Sequence, residues 1–303
     1  MAVEAAISGR TGEKEPARGF AFALAAYLAW GFLPLYMKAV AFIPAVEVVA
    51  HRIVWSVPVA GAILWWLGRT GDLKAALRSP RLLLMATLTA SLISVNWAIY
   101  VWAIGAGRAV EAALGYYINP LVNVLLGAIL LGERLGRPQL AAVGLAVGAV
   151  AILTVETRGL PWVSLALAFS FAFYGFFRKT LPLGAAQGFM LEVLILSVPA
   201  LGFVAYTAME GTSHFLNDGA TAVILLIAAG PITTIPLILY ASGAKLLRFS
   251  TLGLMQYIAP TIMFLIAVLI FQEPFSRAEA TAFGLIWAAL ALYSWTMLRA
   301  ARA

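Results

Sequence analysis

Apolar runs of about twenty residues recur along this chain, each bounded by a short cluster of charges or glycine, and no other feature limits the fold as tightly. At 1.5 Å per residue, ~20 residues of helix cross a hydrocarbon core ~30 Å thick. Composition agrees: 63% of residues are hydrophobic and 11% charged, against roughly half and a quarter in an ordinary soluble domain. Such a surface would not stay in water. The runs fall at 19–37, 46–67, 82–104, 110–131 and 139–155, then at 162–177, 188–209, 222–244, 252–271 and 278–298. The first eighteen residues are polar and lead straight into a run too long for a cleavable signal core, so that run reads as the first transmembrane helix.

The net charge of +7 needs no nucleic acid to explain it, because Lys and Arg collect in the cytoplasmic loops of membrane proteins. No basic cluster interleaved with aromatics stands clear of a span. The absence of cysteine excludes disulfides, thiolate metal sites and cysteine nucleophiles. Sorting alternate loops places Arg10, Lys14, Arg18, Arg69, Lys74, Arg78, Arg81, Arg134, Arg137, Arg178, Lys179, Lys245, Arg248, Arg299 and Arg302 on one side, fifteen in all. Five, Lys38, Arg52, Arg108, Arg158 and Arg277, fall on the other. This bias puts both termini in the cytoplasm.

A gap-free shift of 140 residues lays Arg108 on Arg248, Leu114 on Leu254, Tyr117-Ile118 on Tyr257-Ile258, Pro120 on Pro260, Glu133 on Glu273, Arg137 on Arg277 and Gly144-Leu145 on Gly284-Leu285. A shift of 141 lays Phe32 on Phe173, Lys38 on Lys179 and Ser56-Val57-Pro58 on Ser197-Val198-Pro199. The chain reads as a tandem duplication. Five spans per copy is an odd number, so the second copy enters the membrane from the opposite side. The expected fold is an all-α polytopic membrane protein of ten transmembrane helices in two inverted five-helix repeats. Residues 1–18 form a cytoplasmic tail, 19–155 the first repeat, 160–298 the second and 299–303 a second cytoplasmic tail. Inverted repeats are common in secondary transporters, whose two halves exchange outward-open and inward-open states.

The segments Ala25-Ala26-Tyr27-Leu28-Ala29-Trp30-Gly31, His51-Arg52-Ile53-Val54-Trp55-Ser56, Leu114-Gly115-Tyr116-Tyr117-Ile118-Asn119-Pro120, Leu131-Gly132-Glu133-Arg134 and Ser250-Thr251-Leu252-Gly253 together resemble the RarD branch of the EamA drug/metabolite transporter superfamily. So do Leu167-Ala168-Phe169-Ser170-Phe171-Ala172-Phe173-Tyr174-Gly175 and Gln256-Tyr257-Ile258-Ala259-Pro260-Thr261, and the resemblance covers nearly the whole chain. It implies ten helices around a central cavity in the cell inner membrane and export of a small-molecule substrate without a cofactor. Relatives of this kind export amino acids, often aromatic as in the YddG type, or other amphipathic metabolites, and some carry drug-resistance names. No motif of the family fixes the substrate residue by residue.

Polar and aromatic residues inside spans are the candidate pathway. Pro120 has no N–H to give the carbonyl of Tyr116, and Pro260 repeats the arrangement for Gln256. A freed carbonyl in hydrocarbon is tolerated where it faces protein or a wet cavity, so Tyr116, Tyr117, Asn119, Gln256 and Tyr257 are candidates for a polar patch at the repeat interface. A packed kink is the alternative. Asn96 and Tyr100 lie one turn apart on one helix face. Trp30 and Tyr174 occupy the first helices of the two copies near Pro34 and Gly175. Thr234, Pro236 and Tyr240 interrupt the eighth span, where threonine bonded to its own helix is the competing reading. Aromatic rings with a polar tip suit amphipathic solutes. Charges inside spans are functional suspects: His51, with Glu47 one turn away as its natural partner, and Glu192 are candidates for a proton or charge relay, or for structural pairing. Glu133 and Glu273 read as helix-end anchors.

Two other classes lack the residues they need. An enzyme needs convergent nucleophile, base or metal ligands, and neither a His-Glu-x-x-His motif nor a phosphate loop occurs. A pore built on Asn119-Pro120 would want the same pair in the second copy, which reads Ala259-Pro260.

Overall fold

The computed structural model describes residues 17–68, 70–131, 136–156, 160–180, 182–244, 246–247 and 255–300, and every regular element among them is helical. In chain order these are α1 (Ala17–Ala39), α2 (Ala45–Trp66), α3 (Thr70–Leu77), α4 (Pro80–Gly105), α5 (Ala109–Leu131), α6 (Arg137–Glu156), α7 (Trp162–Thr180), α8 (Ala185–Met209), α9 (His214–Asn217), α10 (Gly219–Ala244), α11 (Ile258–Leu265) and α12 (Arg277–Ala300). Five stretches are long and apolar enough to cross a membrane: α1, α2, α4, Ala186–Met209 and Gly219–Tyr240; Leu140–Glu156, Trp162–Arg178 and Ile258–Ile270 are shorter apolar helices. The short helices α3 and α9 fall where the sequence reads as loop.

The ninth expected span, 252–271, departs from expectation. Its helix begins at Ile258 with Tyr257 as N-cap, and after Leu265 it widens into a π-helical turn over Ile266–Ile270. Pro260 therefore sits in the first turn, where no N–H is needed for the helical ladder, and it does not free a mid-helix carbonyl as Pro120 does inside α5. Pro34 lies inside α1, and Pro236 shares the interior of α10 with Pro231. The anchors Glu133 and Arg134, the loop charges Arg69, Arg158, Lys245 and Arg248, and residues 1–16 and 301–303 lie outside the described residues.

Several helix starts are closed by side chains. Ser79 accepts the Leu82 N–H at the start of α4, with Pro80 in first position. Glu273 accepts the N–H groups of Ala109 and Val110, each at 2.9 Å, and so caps α5 from the far half of the chain. Gly107, at φ +70, makes the tight return between α4 and α5 that a side chain would strain.

The helices pair across the two halves of the chain. α6 packs on α12, α5 on α7, α1 on α10 and α11, α2 on α8 and α10, and α4 on α7 and α8. Lipid offers apolar side chains no hydrophobic drive to associate, so close contact falls to small residues. A Cβ on Gly115 would meet the Ser164 carbonyl oxygen at 2.7 Å, and one on Gly230 would run into the Trp55 backbone carbonyl. The outer surface is apolar: Trp65 and Trp66 are 78% and 82% exposed, and Val155 and Met209 stand out similarly. In water such a surface would aggregate, whereas against acyl chains it is solvated. Trp102 pairs with Trp162 at 5.3 Å, and Arg108 lies 5.6 and 5.5 Å from the two rings, an arrangement typical of the interfacial belt.

Because Gly230 lets the backbones of α2 and α10 touch, Gly230→Leu should cost about 1 to 3 kcal/mol through overpacking, read as a lower thermal midpoint of the purified protein. Gly144→Ala, whose new Cβ meets nothing within 4 Å, should leave the midpoint unchanged or raise it.

Candidate functional site

Arg52, counted among the exterior loop charges from sequence, stands two turns inside α2 and is only 4% exposed. Its Nε donates to Thr233 Oγ1 at 2.6 Å, and Thr233 in turn donates to the Ala229 carbonyl at 2.7 Å, which fixes the threonine hydroxyl as acceptor for the guanidinium. The guanidinium carbon lies 4.4 Å from the ring centre of Trp97 on α4. Tyr36, Tyr100 and Tyr116, from α1, α4 and α5, are close enough to interact electrostatically with it. Helices from the beginning, middle and end of the chain thus meet around one cation. Gly230, one turn before Thr233, brings α10 near enough to α2 for the hydrogen bond to form.

A ladder of aromatic and amide groups leads away from Arg52. Tyr100 and Tyr116 pack edge to face at 5.9 Å, and the Tyr116 hydroxyl donates to Asn96 Oδ1 at 3.2 Å. Asn96 donates to the Leu167 carbonyl at 3.1 Å and to Ser170 Oγ at 2.9 Å. Phe171 bridges Tyr116 and Tyr174, at 5.9 and 6.0 Å. At the far end Glu192, 1% exposed, accepts from Tyr174 at 3.2 Å and from Thr89 at 2.8 Å, and pairs with Arg178 Nε at 3.3 Å. Arg178 reaches it because Gly188 has no side chain: a Cβ there would overlap the guanidinium. A buried carboxylate held by one cation and two hydroxyls is a satisfied group, and its partners must separate before it can do anything else.

The remaining expected residues form two other groups. Tyr117 and Tyr257 stack at 6.5 Å, with Tyr117 hydroxyl and Thr261 Oγ1 at 2.6 Å, and with Trp287 they line a cavity of about 270 Å³. Beside them Asn119 donates to the Ala168 carbonyl at 3.0 Å and accepts from Asn123 at 3.2 Å and Gln256 at 3.3 Å, tying α5 to α7 and to the turn before α11. Trp30 and Tyr240 pack at 5.5 Å with Tyr27 against both, a cluster joining α1 and α10. Thr234 is fully buried next to Thr233. A second cavity, of about 250 Å³ near Arg108, Glu111, Trp162 and Glu279, also lies away from Arg52 and Glu192. The ladder between them is closed to solvent in this conformation, with Asn96 and Tyr100 buried alongside the two charges.

His51 does not pair with Glu47. Glu47 instead accepts the His214 N–H at 2.9 Å and meets His214 Nδ1 at 2.7 Å, while His51 stacks on Phe215 at 4.8 Å. Glu47 sits in the first turn of α2 and faces the connection carrying α9, whose N–H groups need an acceptor. His51 and Glu192 share no hydrogen bond or ring contact, so no relay joins them directly here. No group of three or more His, Cys, Asp or Glu able to hold a metal occurs among the described residues. In the sequence Arg52 stands beside His51 inside the second expected span, a basic residue in an apolar run and so a functional suspect, while Trp97 and Thr233 stand beside Asn96 and Thr234 in the third and eighth; Arg178 reads there only as a loop charge, and nothing in the sequence marks Thr89.

Residues 17–155 match the EamA-like transporter family. The chain is 43% identical over 290 residues to "Protein RarD" of Streptomyces exfoliatus, covering 96% of this chain and 92% of that protein. It is 40% identical to "Protein RarD" of Escherichia coli (strain K12), covering 92% and 95%. Against the "Chloramphenicol-sensitive protein RarD" of Pseudomonas aeruginosa it is 32% identical, covering 94% and 96%. A crystal structure of a protein 21% identical superposes with a TM-score of 0.57 over 93% of this chain and 98% of that one, a likeness of fold alone.

Breaking a buried pair by removing one partner costs about 3 to 5 kcal/mol, whereas replacing both with apolar groups can be neutral. Glu192→Ala should therefore destabilise the purified protein strongly, and the double variant Glu192→Leu with Arg178→Met should recover most of the loss in thermal midpoint.

Proposed function

The chain belongs to the RarD branch of the EamA-like transporter family, and from that premise we propose that it exports small amphipathic metabolites, neutral and aromatic amino acids foremost, by alternating access. It is a multi-pass membrane transporter. The pathway runs through the aromatic ladder between Arg52 and Glu192, in ten spans arranged as two inverted halves, with both termini on the cytoplasmic side of the inner membrane.

The helix pairing supports the repeat. Matching α1, α2, α4, α5 and α6 with α7, α8, α10, α11 and α12 turns the α5–α7 contact into α11–α1, α4–α7 into α10–α1 and α2–α10 into α8–α4, and leaves α2–α8 and α6–α12 unchanged. A twofold relation between halves has this property. Shift 141 sets Arg52 on Val193, beside Glu192. In inverted halves the two charges then lie at similar depths from opposite faces, one toward each end of a passage. The ladder between them is the single observation that carries the substrate class. Trp97, Tyr100, Tyr116, Phe171 and Tyr174 offer apolar area, and the polar tips of Trp97 and the three tyrosines, with Asn96, offer directional bonds for a partly apolar zwitterion. Glu192 is already paired, which leaves little for a cationic drug to gain.

Purified protein in proteoliposomes should show counterflow of radiolabelled neutral and aromatic amino acids in preference to chloramphenicol and cationic dyes. Tyr100→Ala and Tyr174→Ala, each removing one aromatic contact of the ladder, should lower that transport roughly threefold to tenfold while the protein stays folded. Counterflow of the drugs without amino acids would replace this reading by drug efflux, and unaltered transport in both variants would place the pathway elsewhere.

A further inference from the structure

Arg52 is a cation buried in the middle of a helix bundle with no carboxylate partner among the described residues. That is costly: an isolated charge in a low-dielectric interior is retained where something compensates it. What compensates it here is partial. Nε is committed to Thr233, and one face of the guanidinium is covered by Trp97, an interaction weaker than a charge pair. Nη1 has no acceptor. The Tyr100 hydroxyl, on a side chain of the same cluster, is likewise buried and without a partner. Contrast Glu192 at the other end of the ladder, whose oxygens are taken up by Arg178, Thr89 and Tyr174. The bundle thus completes its buried anion and leaves its buried cation incomplete.

We propose that the missing partner is the carboxylate of the transported solute, held by Arg52 with the Tyr100 hydroxyl as a second donor, while Trp97, Tyr100 and Tyr116 take the apolar part of the same molecule. The guanidinium fork matches a planar carboxylate, and two charge-assisted bonds to it are directional as well as strong. With Nε held by Thr233 and a ring against one face, the guanidinium is already oriented, so little side-chain freedom remains to be lost on binding. The closed cluster opens to admit the solute, and the carboxylate then neutralises the cation for the crossing. This inference rests on the reading of the chain as a carrier of amphipathic solutes and deepens it by naming the group recognised.

The test compares matched pairs with and without a carboxylate: phenylalanine against phenylalaninamide, and 3-phenylpropionate against 3-phenylpropanamide. Binding is read as thermal stabilisation of the purified protein in nanodiscs, and transport separately as counterflow. The wild type should prefer each acid over its amide by roughly tenfold to a hundredfold, as befits hydrogen bonds to a charged group. Arg52→Gln should bring that ratio to within about twofold. Arg52→Lys, which keeps charge but not the fork, and Tyr100→Phe, which removes only the hydroxyl, should each lower the ratio in part. Should Arg52→Gln not fold, these two milder variants decide the matter, and an unchanged ratio in both overturns the assignment. Equal binding of acid and amide by the wild type, or a preference that survives in Arg52→Gln, also overturns it, and amino acid counterflow in the same preparations would leave the transport reading standing. Acid-selective binding that depends on Arg52 without amino acid counterflow supports the carboxylate site and removes the amino acid reading.

Discussion

The crossing of α2 and α10 at Gly230 sets the distances on which the centre of the bundle depends. Without a side chain there, the Trp55 carbonyl and the α10 backbone meet directly, and one turn along Thr233 comes within 2.6 Å of Arg52. That bond orients a cation which would otherwise be free to seek water, as long basic side chains do near a membrane face. Once fixed, the guanidinium lies over Trp97, and the tyrosines of α1, α4 and α5 gather around it. A close approach of two backbones therefore determines where the charge sits.

At the other end the same logic operates with the opposite sign and a different outcome. Gly188 makes room for Arg178, which pairs with Glu192 and completes its coordination with Thr89 and Tyr174. Paired, Glu192 ties α7, α8 and α4 together. Unpaired, Arg52 gives the centre its capacity to interact with something that is not part of the chain. In the proposed duplication Arg52 aligns with Val193 and His51 with Glu192, so the two copies differ at the finished anion and at the unfinished cation.

Much of the fold is legible in the sequence because hydrocarbon imposes a length on each span. The long helices α1, α2, α4, α8 and α10 begin and end within a few residues of the expected runs. The sequence also singled out Asn96, Tyr100, Tyr116 and Tyr174 as polar or aromatic groups within spans, and the structure links them in one ladder. What was not legible depends on three-dimensional neighbours. Charge counting groups Arg52 with the exterior charges by its proximity to a span end, although it falls within the expected run 46–67, and the partner that holds it inside, Thr233, lies 181 positions away. Glu47 was given His51 from helical spacing, but the N–H groups of His214 and Phe215, in a helix of four residues too short to read from periodicity, take it instead. Pro260 was read by analogy with Pro120, and the analogy fails because its helix starts only at Ile258.

On the proposed mechanism the closed cluster around Arg52 is a passage in waiting, open in turn to each side of the membrane. The chain has no cysteine, so Thr234→Cys, fully buried beside Thr233, would carry its only thiol. A membrane-impermeant thiol reagent added outside should modify this cysteine both in right-side-out vesicles, which present the exterior face, and in inverted ones, which present the cytoplasmic face, more slowly in each case when a transported solute is present. A thiol that reacts from neither side, or from one side alone with or without solute, would show that Thr234 belongs to a permanently packed core and would contradict alternating access through this site.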